Sequence, residues 1–172
     1  MSLLVVGSVA LDSVETPFDK VDDALGGSAT YISLAASYFS APIELVGVVG
    51  DDFPKPYIEM LEQHKIDLEG LQIIKGEKTF RWGGKYHYDL NVRDTLFTEL
   101  NAFQNFNPVL PERYKKSKYI CLGNIDPILQ MRVLEQVIDP QFVVCDTMNL
   151  WINLMKKDLL KLLKRVHVFI LN

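Results

Sequence analysis

The sequence has 172 residues, of which 48% are hydrophobic and 23% charged, a balance that suits one compact domain and excludes a disordered tail. A formal net charge of -4 provides no global basic field for a phosphate backbone and no local basic patch replaces it, so nucleic acid is not an expected partner. No apolar stretch approaches the roughly 20 residues that cross a bilayer, and the apolar start at residues 3–6 lacks a basic lead, so the expected location is cytoplasmic with no membrane contact.

In chain order, residues 3–7 form an aliphatic run ending in glycine, the pattern of a strand buried on both faces of a parallel sheet. Gly26-Gly27-Ser28-Ala29-Thr30 then opens a helix to residue 39, rich in alanine and serine and therefore able to pack closely. Residues 43–49 predict a second buried strand, stopped by Gly50-Asp51-Asp52, and residues 57–64 an amphipathic helix. From residue 71 to about 100 aromatic and polar residues alternate around Trp82-Gly83-Gly84-Lys85, which predicts antiparallel strands about a glycine turn, a flap outside the core. Pro108 to Pro111 return the chain to the core. Residues 119–123 and 142–145 are short buried strands separated by a helix over 128–137. A lysine-bearing helix over 154–165 and an aliphatic strand over 166–171 follow, and a strand so apolar needs cover on both faces, so the chain is expected to be part of a larger domain.

Cys121 and Cys145 lie in apolar runs and read as core thiols, while His64, His87 and His167 have no metal-like spacing. In an open α/β sheet ligands gather beyond the carboxyl ends of the strands. Asp12, after the first strand, can accept two hydrogen bonds from a polyol, although a turn or cap aspartate fits the same position. Gly26-Gly27 exposes helix-start N–H groups to a ligand, or simply turns tightly. Asn124 and Asp146 follow two further strands; a local turn and a helix cap are the plain alternatives. The flap offers Arg81, Trp82, Lys85, Tyr86, His87, Tyr88 and Arg93, for stacking on a ligand or as a solvated hairpin. Gly7 to Asp12 has one glycine where a nicotinamide-binding fingerprint needs three, and there is no Walker A motif.

Taken in order, Gly7 to Asp12, Gly26-Gly27-Ser28-Ala29-Thr30-Tyr31, Val46-Gly47-Val48-Val49-Gly50-Asp51-Asp52, the aromatic flap, Asp146-Thr147-Met148-Asn149 and Ile170-Leu171-Asn172 resemble the N-terminal part of a ribokinase-like (PfkB family) carbohydrate kinase. The resemblance covers essentially the whole chain. It implies a ribokinase-like three-layer α/β/α sandwich with a mostly parallel sheet and a small β lid, contributed mainly by residues 76–100, with the C-terminal nucleotide-binding half absent. It implies transfer of the ATP γ-phosphoryl group, with Mg2+, to a sugar hydroxyl. A nucleoside kinase of the same fold and a non-catalytic sugar-binding or regulatory protein are the alternatives.

By the same resemblance Asp12, Gly26, Gly27, Tyr31, Arg81 and Asn124 are expected to bind substrate, and Asp146, Asn149 and Asn172 to serve nucleotide phosphates, with a possible homodimer through the lid. No catalytic residue is expected here. The family's aspartate base and the glutamate of Asn-x-x-Glu would follow Asn172, so this chain alone is expected to be inactive. Two positions depart from the pattern: Tyr31 replaces an asparagine, and Pro54 stands near Asp51-Asp52 where glycine is frequent. A phenol at position 31 reshapes the pocket and leaves the substrate open.

Overall fold

A computed structural model describes residues 2–171. The chain begins with β1 (Leu3–Val6), β2 (Ala10–Glu15) and β3 (Lys20–Gly26), followed by α1 (Ser28–Ser37), β4 (Ile43–Gly50), α2 (Lys55–Gln63) and β5 (Ile66–Ile74). It continues with β6 (Phe80–Tyr86), β7 (Arg93–Glu99), β8 (Tyr119–Leu122), α3 (Pro127–Gln136) and β9 (Phe142–Asp146). Two helices, α4 (Asn149–Leu154) and α5 (Lys156–Leu163), precede β10 (Val168–Ile170).

Two sheets result. The first is six-stranded in the order β10-β9-β8-β1-β4-β5, every pairing parallel, and the second is four-stranded in the order β3-β2-β6-β7. In the first sheet alternate side chains go to opposite faces and both are covered. Leu4, Val6, Val46, Ile120 and Leu122 pack with Val133 and Leu134 of α3 and Leu159 and Leu162 of α5. Val5, Ile43, Leu45 and Val49 pack with Ala29 of α1 and Leu61 of α2. Helices on both faces of a parallel sheet make three layers and explain the unbroken aliphatic runs.

The chain leaves β1 for β4 and β5 on one side, then returns to β8, β9 and β10 on the other. The strand order therefore reverses at β1, and the ends of β1 and β8 open a crevice there. α1 starts in that crevice. Gly27 has φ 98°, a left-handed value that favours glycine, and a side chain there would also strike the carbonyl of Ser8. α3 is entered through Asp126, whose carboxylate accepts from the Ile128 N–H at 2.7 Å, with Pro127 in the first turn.

Several sequence expectations need correction. Gly83 and Gly84 lie inside β6, and the chain reverses at residues 87–92 instead. A side chain at Gly84 would meet the Trp82 indole and one at Gly83 the Phe97 ring, so these glycines admit aromatic packing on a strand and do not turn the chain. The lid sheet also draws on residues 10–26, because β2 and β3 form half of it. The single helix over 154–165 is two, divided at Met155 (φ -122°, ψ 27°). No helix of the described residues is long and apolar enough to cross a membrane.

Candidate functional site

β2 runs beside β6 in parallel, with Ala10 opposite Phe80 and Asp12 opposite Trp82. The period of two puts these four residues on one face of the lid, and that face looks onto the ends of β1 and β8. Between them lies a cavity with two connected compartments. The smaller, about 370 Å³, is lined by Asp12, Gly27, Tyr31, Tyr86 and Arg93 among others. The larger, about 630 Å³, is walled chiefly by Phe80, Phe103, Leu129 and Trp151. Ser8, Phe80, Trp82, Asn124 and Met148 border both.

Asp12 is the acceptor of the first compartment. It sits against Gly26, where any side chain would overlap the carboxyl group, and no described residue donates a hydrogen bond to it. Burial without a partner pushes its pKa up to about 6. Asn124 follows β8, and its side-chain oxygen is buried without a partner. Two polar groups so placed are costly unless a ligand or water completes them.

The start of α1 behaves differently from expectation. Ser28 N–H donates to Ser8 Oγ at 3.0 Å, Ala29 N–H donates to the Ser8 carbonyl at 2.9 Å, and Ser8 N–H donates to Ser28 Oγ at 3.2 Å. Ser8 therefore takes the N–H groups that the sequence reading left for a ligand, and Gly26 and Gly27 supply clearance for Asp12 and Ser8. Tyr31 is at the rim, more than half exposed, with its phenol donating to the Leu25 carbonyl at 2.8 Å.

Arg81 is placed away from the cavity. Neighbouring residues on β6 alternate faces, so Arg81 points to the back of the lid when Trp82 points inward. Its guanidinium binds Asp52 at 2.8 Å and Asp23 at 3.1 Å. Burial opposes ionisation of Asp52, but hydrogen bonds from Thr79 and Arg81 outweigh it and hold the carboxyl below its ordinary range. Thr79 donates through both N–H and Oγ1 to Asp52 at 2.7 Å, so the knot ties β6 to the turn after β4. Arg81 is thus a structural clamp between the two sheets.

Of the residues expected to serve phosphates, Asp146 and Asn149 are described, at the end of β9 and the start of α4. Asp146 ends β9, with burial raising its pKa and a backbone hydrogen bond from Thr147 opposing. Asn149 is exposed at the start of α4, and Asn172 lies outside the described residues. Gln130, fully buried on α3, donates to the carbonyls of Gly123 at 2.8 Å and Asp146 at 3.0 Å, fixing the ends of β8 and β9 together. Among the described residues no cluster of three or more His, Cys, Asp or Glu could hold a metal ion. An acidic strand end and an exposed amide do not by themselves fit a magnesium–triphosphate group. Cys121 and Cys145 are free thiols pushed up by burial to about 11 and about 12, which leaves them unreactive.

Sequence reasoning assigned no substrate role to Ser8, Phe80 or Met148, whose signal was only proximity to strand ends. It left Trp82 and Arg93 among many flap residues, because the inward face of β6 and β7 depends on register.

No protein-family profile matches the chain. The cytidine kinase of Thermococcus kodakarensis is 29% identical over 138 residues, a match that spans 80% of this chain and 48% of that protein. Among solved structures, the nucleoside kinase of Methanocaldococcus jannaschii, an archaeal member of the ribokinase family, superposes with a TM-score of 0.71 at 19% identity, over 98% of this chain and 59% of its own. The ribokinase of Cryptococcus neoformans var. grubii in complex with ADP gives 0.61 at 20% identity, over 85% and 49%. The chain spans about half the length of the curated relative it matches. The resemblance and the architecture expected from the sequence are borne out by these matches.

Proposed function

We propose, from the premise that this chain has the ribokinase-like fold and corresponds to the N-terminal part of a kinase built on it, that it forms the acceptor side of an ATP-dependent phosphoryl transfer to a nucleoside hydroxyl. The observation that carries this reading is the unpartnered Asp12 carboxylate beside Trp82, at the polar end of an aromatic-walled cavity. A carboxylate with free lone pairs accepts from two adjacent sugar hydroxyls, and an indole face supports a planar base. A bare sugar, the leading expectation from the sequence, uses the first feature and leaves the aromatic wall idle. The cytidine kinase relative supports the same choice.

In this reading Asp12 and the Asn124 amide orient the sugar, and the hydroxyl that reacts is held where the two sheets meet. The lid narrows water access to that hydroxyl, which phosphoryl transfer requires when it competes with hydrolysis. ATP and Mg2+ are the co-reactants the fold implies, and the residues that would hold them are not assembled among those described here. Exposed Phe18, Tyr88, Leu90 and Val92 at the lid tip support a homodimer through the lid as part of the same proposal.

Thermal unfolding of the chain with cytidine, uridine, adenosine, ribose or fructose tests the substrate class. Saturating nucleoside is expected to raise the midpoint and ribose to raise it less. Equal stabilisation by fructose or ribose and nucleoside would return the site to a sugar.

A further inference from the structure

The cations of the lid sheet are treated unequally. Lys20 pairs with Asp22 at 3.1 Å, Lys85 with Glu15 at 2.5 Å, and Arg81 with both Asp23 and Asp52. In the connecting segment His87 pairs with Asp94 at 2.8 Å. Arg93 of β7 lines the cavity, and no carboxylate of the described residues pairs with it. Its guanidinium lies over the Trp82 ring, 5.7 Å from the centroid.

Stacking uses the face of a guanidinium and leaves the in-plane N–H donors of its fork available. Arg81, on the same sheet, shows what the fold does with an arginine it needs for structure: it supplies two carboxylates. Arg93 has received an aromatic shelf and a cavity. Asp12, Trp82 and Arg93 come from β2, β6 and β7, three successive strands. Asp12 lies opposite Trp82 and Arg93 opposite Tyr86, four residues further along β6, so the backbones of the outer pair are offset along the strands as well as across them, and the long Arg93 side chain, reaching back over Trp82, carries its guanidinium toward the Asp12 end of the cavity.

We propose that Arg93 is a specificity-determining residue whose guanidinium fork reads the acceptor edge of the nucleobase while Trp82 supports the ring plane. This rests on the nucleoside reading of the same cavity. Bases that present two acceptors on one edge, cytosine with O2 and N3 or guanine with O6 and N7, match the fork. A phosphate group would also satisfy a guanidinium, but it has no use for the indole and phenol faces of Trp82 and Tyr86 that flank this one.

The test is calorimetric titration of the chain and its Arg93→Ala and Arg93→Lys variants with cytidine, guanosine, ribose and ribose 5-phosphate, after circular dichroism has shown that each variant is folded. Position 93 is exposed and on an edge strand, and the lysine variant keeps the charge should alanine disturb the lid. Arg93→Ala is expected to weaken cytidine and guanosine about tenfold with ribose unchanged, and Arg93→Lys to recover only part. Unchanged nucleoside affinity overturns the proposal, as does ribose weakening in step with cytidine. Selective loss of ribose 5-phosphate, with cytidine unaffected, overturns it in favour of a phosphate. If the unaltered chain prefers nucleosides but Arg93→Ala matches it, this inference alone fails. If the unaltered chain binds ribose as tightly as cytidine, the nucleoside reading fails and this one with it.

Discussion

The two sheets solve the same problem by different means. All eight residues of β4 in the parallel sheet are buried, and all seven residues of β7 in the lid are exposed. The parallel sheet is held by apolar cover on both faces, so its strand ends present polar groups on a rigid frame. The lid has one face over the cavity and the other toward solvent, and it is held by a bulged ladder, inter-strand ion pairs and the Arg81 knot. A scaffold built this way can keep the strand ends fixed while the lid adjusts to a ligand.

Substitutions in the two sheets should separate these mechanisms. The largest expected effect is in the core: Leu4→Ala removes a fully buried side chain between α3 and the sheet and should cost about 3 kcal/mol in urea unfolding. A loss below about 1 kcal/mol would mean that the apolar frame is looser than its burial implies.

Arg81→Ala comes next. It leaves Asp52 without its cation and should cost about 1–2 kcal/mol, accompanied by faster amide exchange in β6 before β4 is affected. Uniform exchange across both sheets would show that the lid and scaffold open as one unit.

Asp12→Asn should stabilise the free protein while abolishing the proposed substrate binding. In the folded chain Asp12 titrates at about 6, above its ordinary 3.8, so the native state holds the proton more tightly than the unfolded one. The protein therefore loses stability as pH rises from about 4 to about 6. The variant escapes that loss, and after discounting for partial exposure its advantage should be about 1 kcal/mol at pH 7.5 and vanish near pH 4. Melting curves at the two pH values decide it; an advantage that persists unchanged at pH 4 would exclude the ionised carboxylate as the cause. Ligand affinity should fall for the unaltered chain as pH drops below about 6, because the proton removes the acceptor.

The smallest expected effect is at the lid surface. Lys85→Ala breaks an exposed pair with Glu15 and should leave the unfolding midpoint unchanged within error at physiological salt. A larger, salt-sensitive loss would show that surface pairs carry the lid.

The aliphatic runs at residues 3–7, 43–49, 119–123 and 142–145 were legible as buried strands because they are short, almost wholly apolar and followed by glycine or polar turn residues. Asp12 and Asn124 were legible as candidates because each comes after an aliphatic strand run, and Gly27 because it opens a helix; all three line the cavity. Arg81 was misplaced for a geometric reason. Along β6 adjacent residues face opposite ways, so Arg81 and Trp82 differ in everything but position, and the face each takes is set by pairing to β2. The glycine pair in β6 misled likewise, since clearance for an indole and clearance for a turn leave the same mark in sequence.

What the sequence by itself determined is the parallel frame and most of its strands and helices, through periodicity and burial, both local properties of the chain. The tertiary structure alone decided which lid residues meet the crevice, that Ser8 closes the start of α1, and that Arg93 is left with an indole where Arg81 has two carboxylates. Those outcomes depend on strand register and on residues far apart in the chain, and a one-residue shift in pairing would exchange the inner and outer faces of the lid.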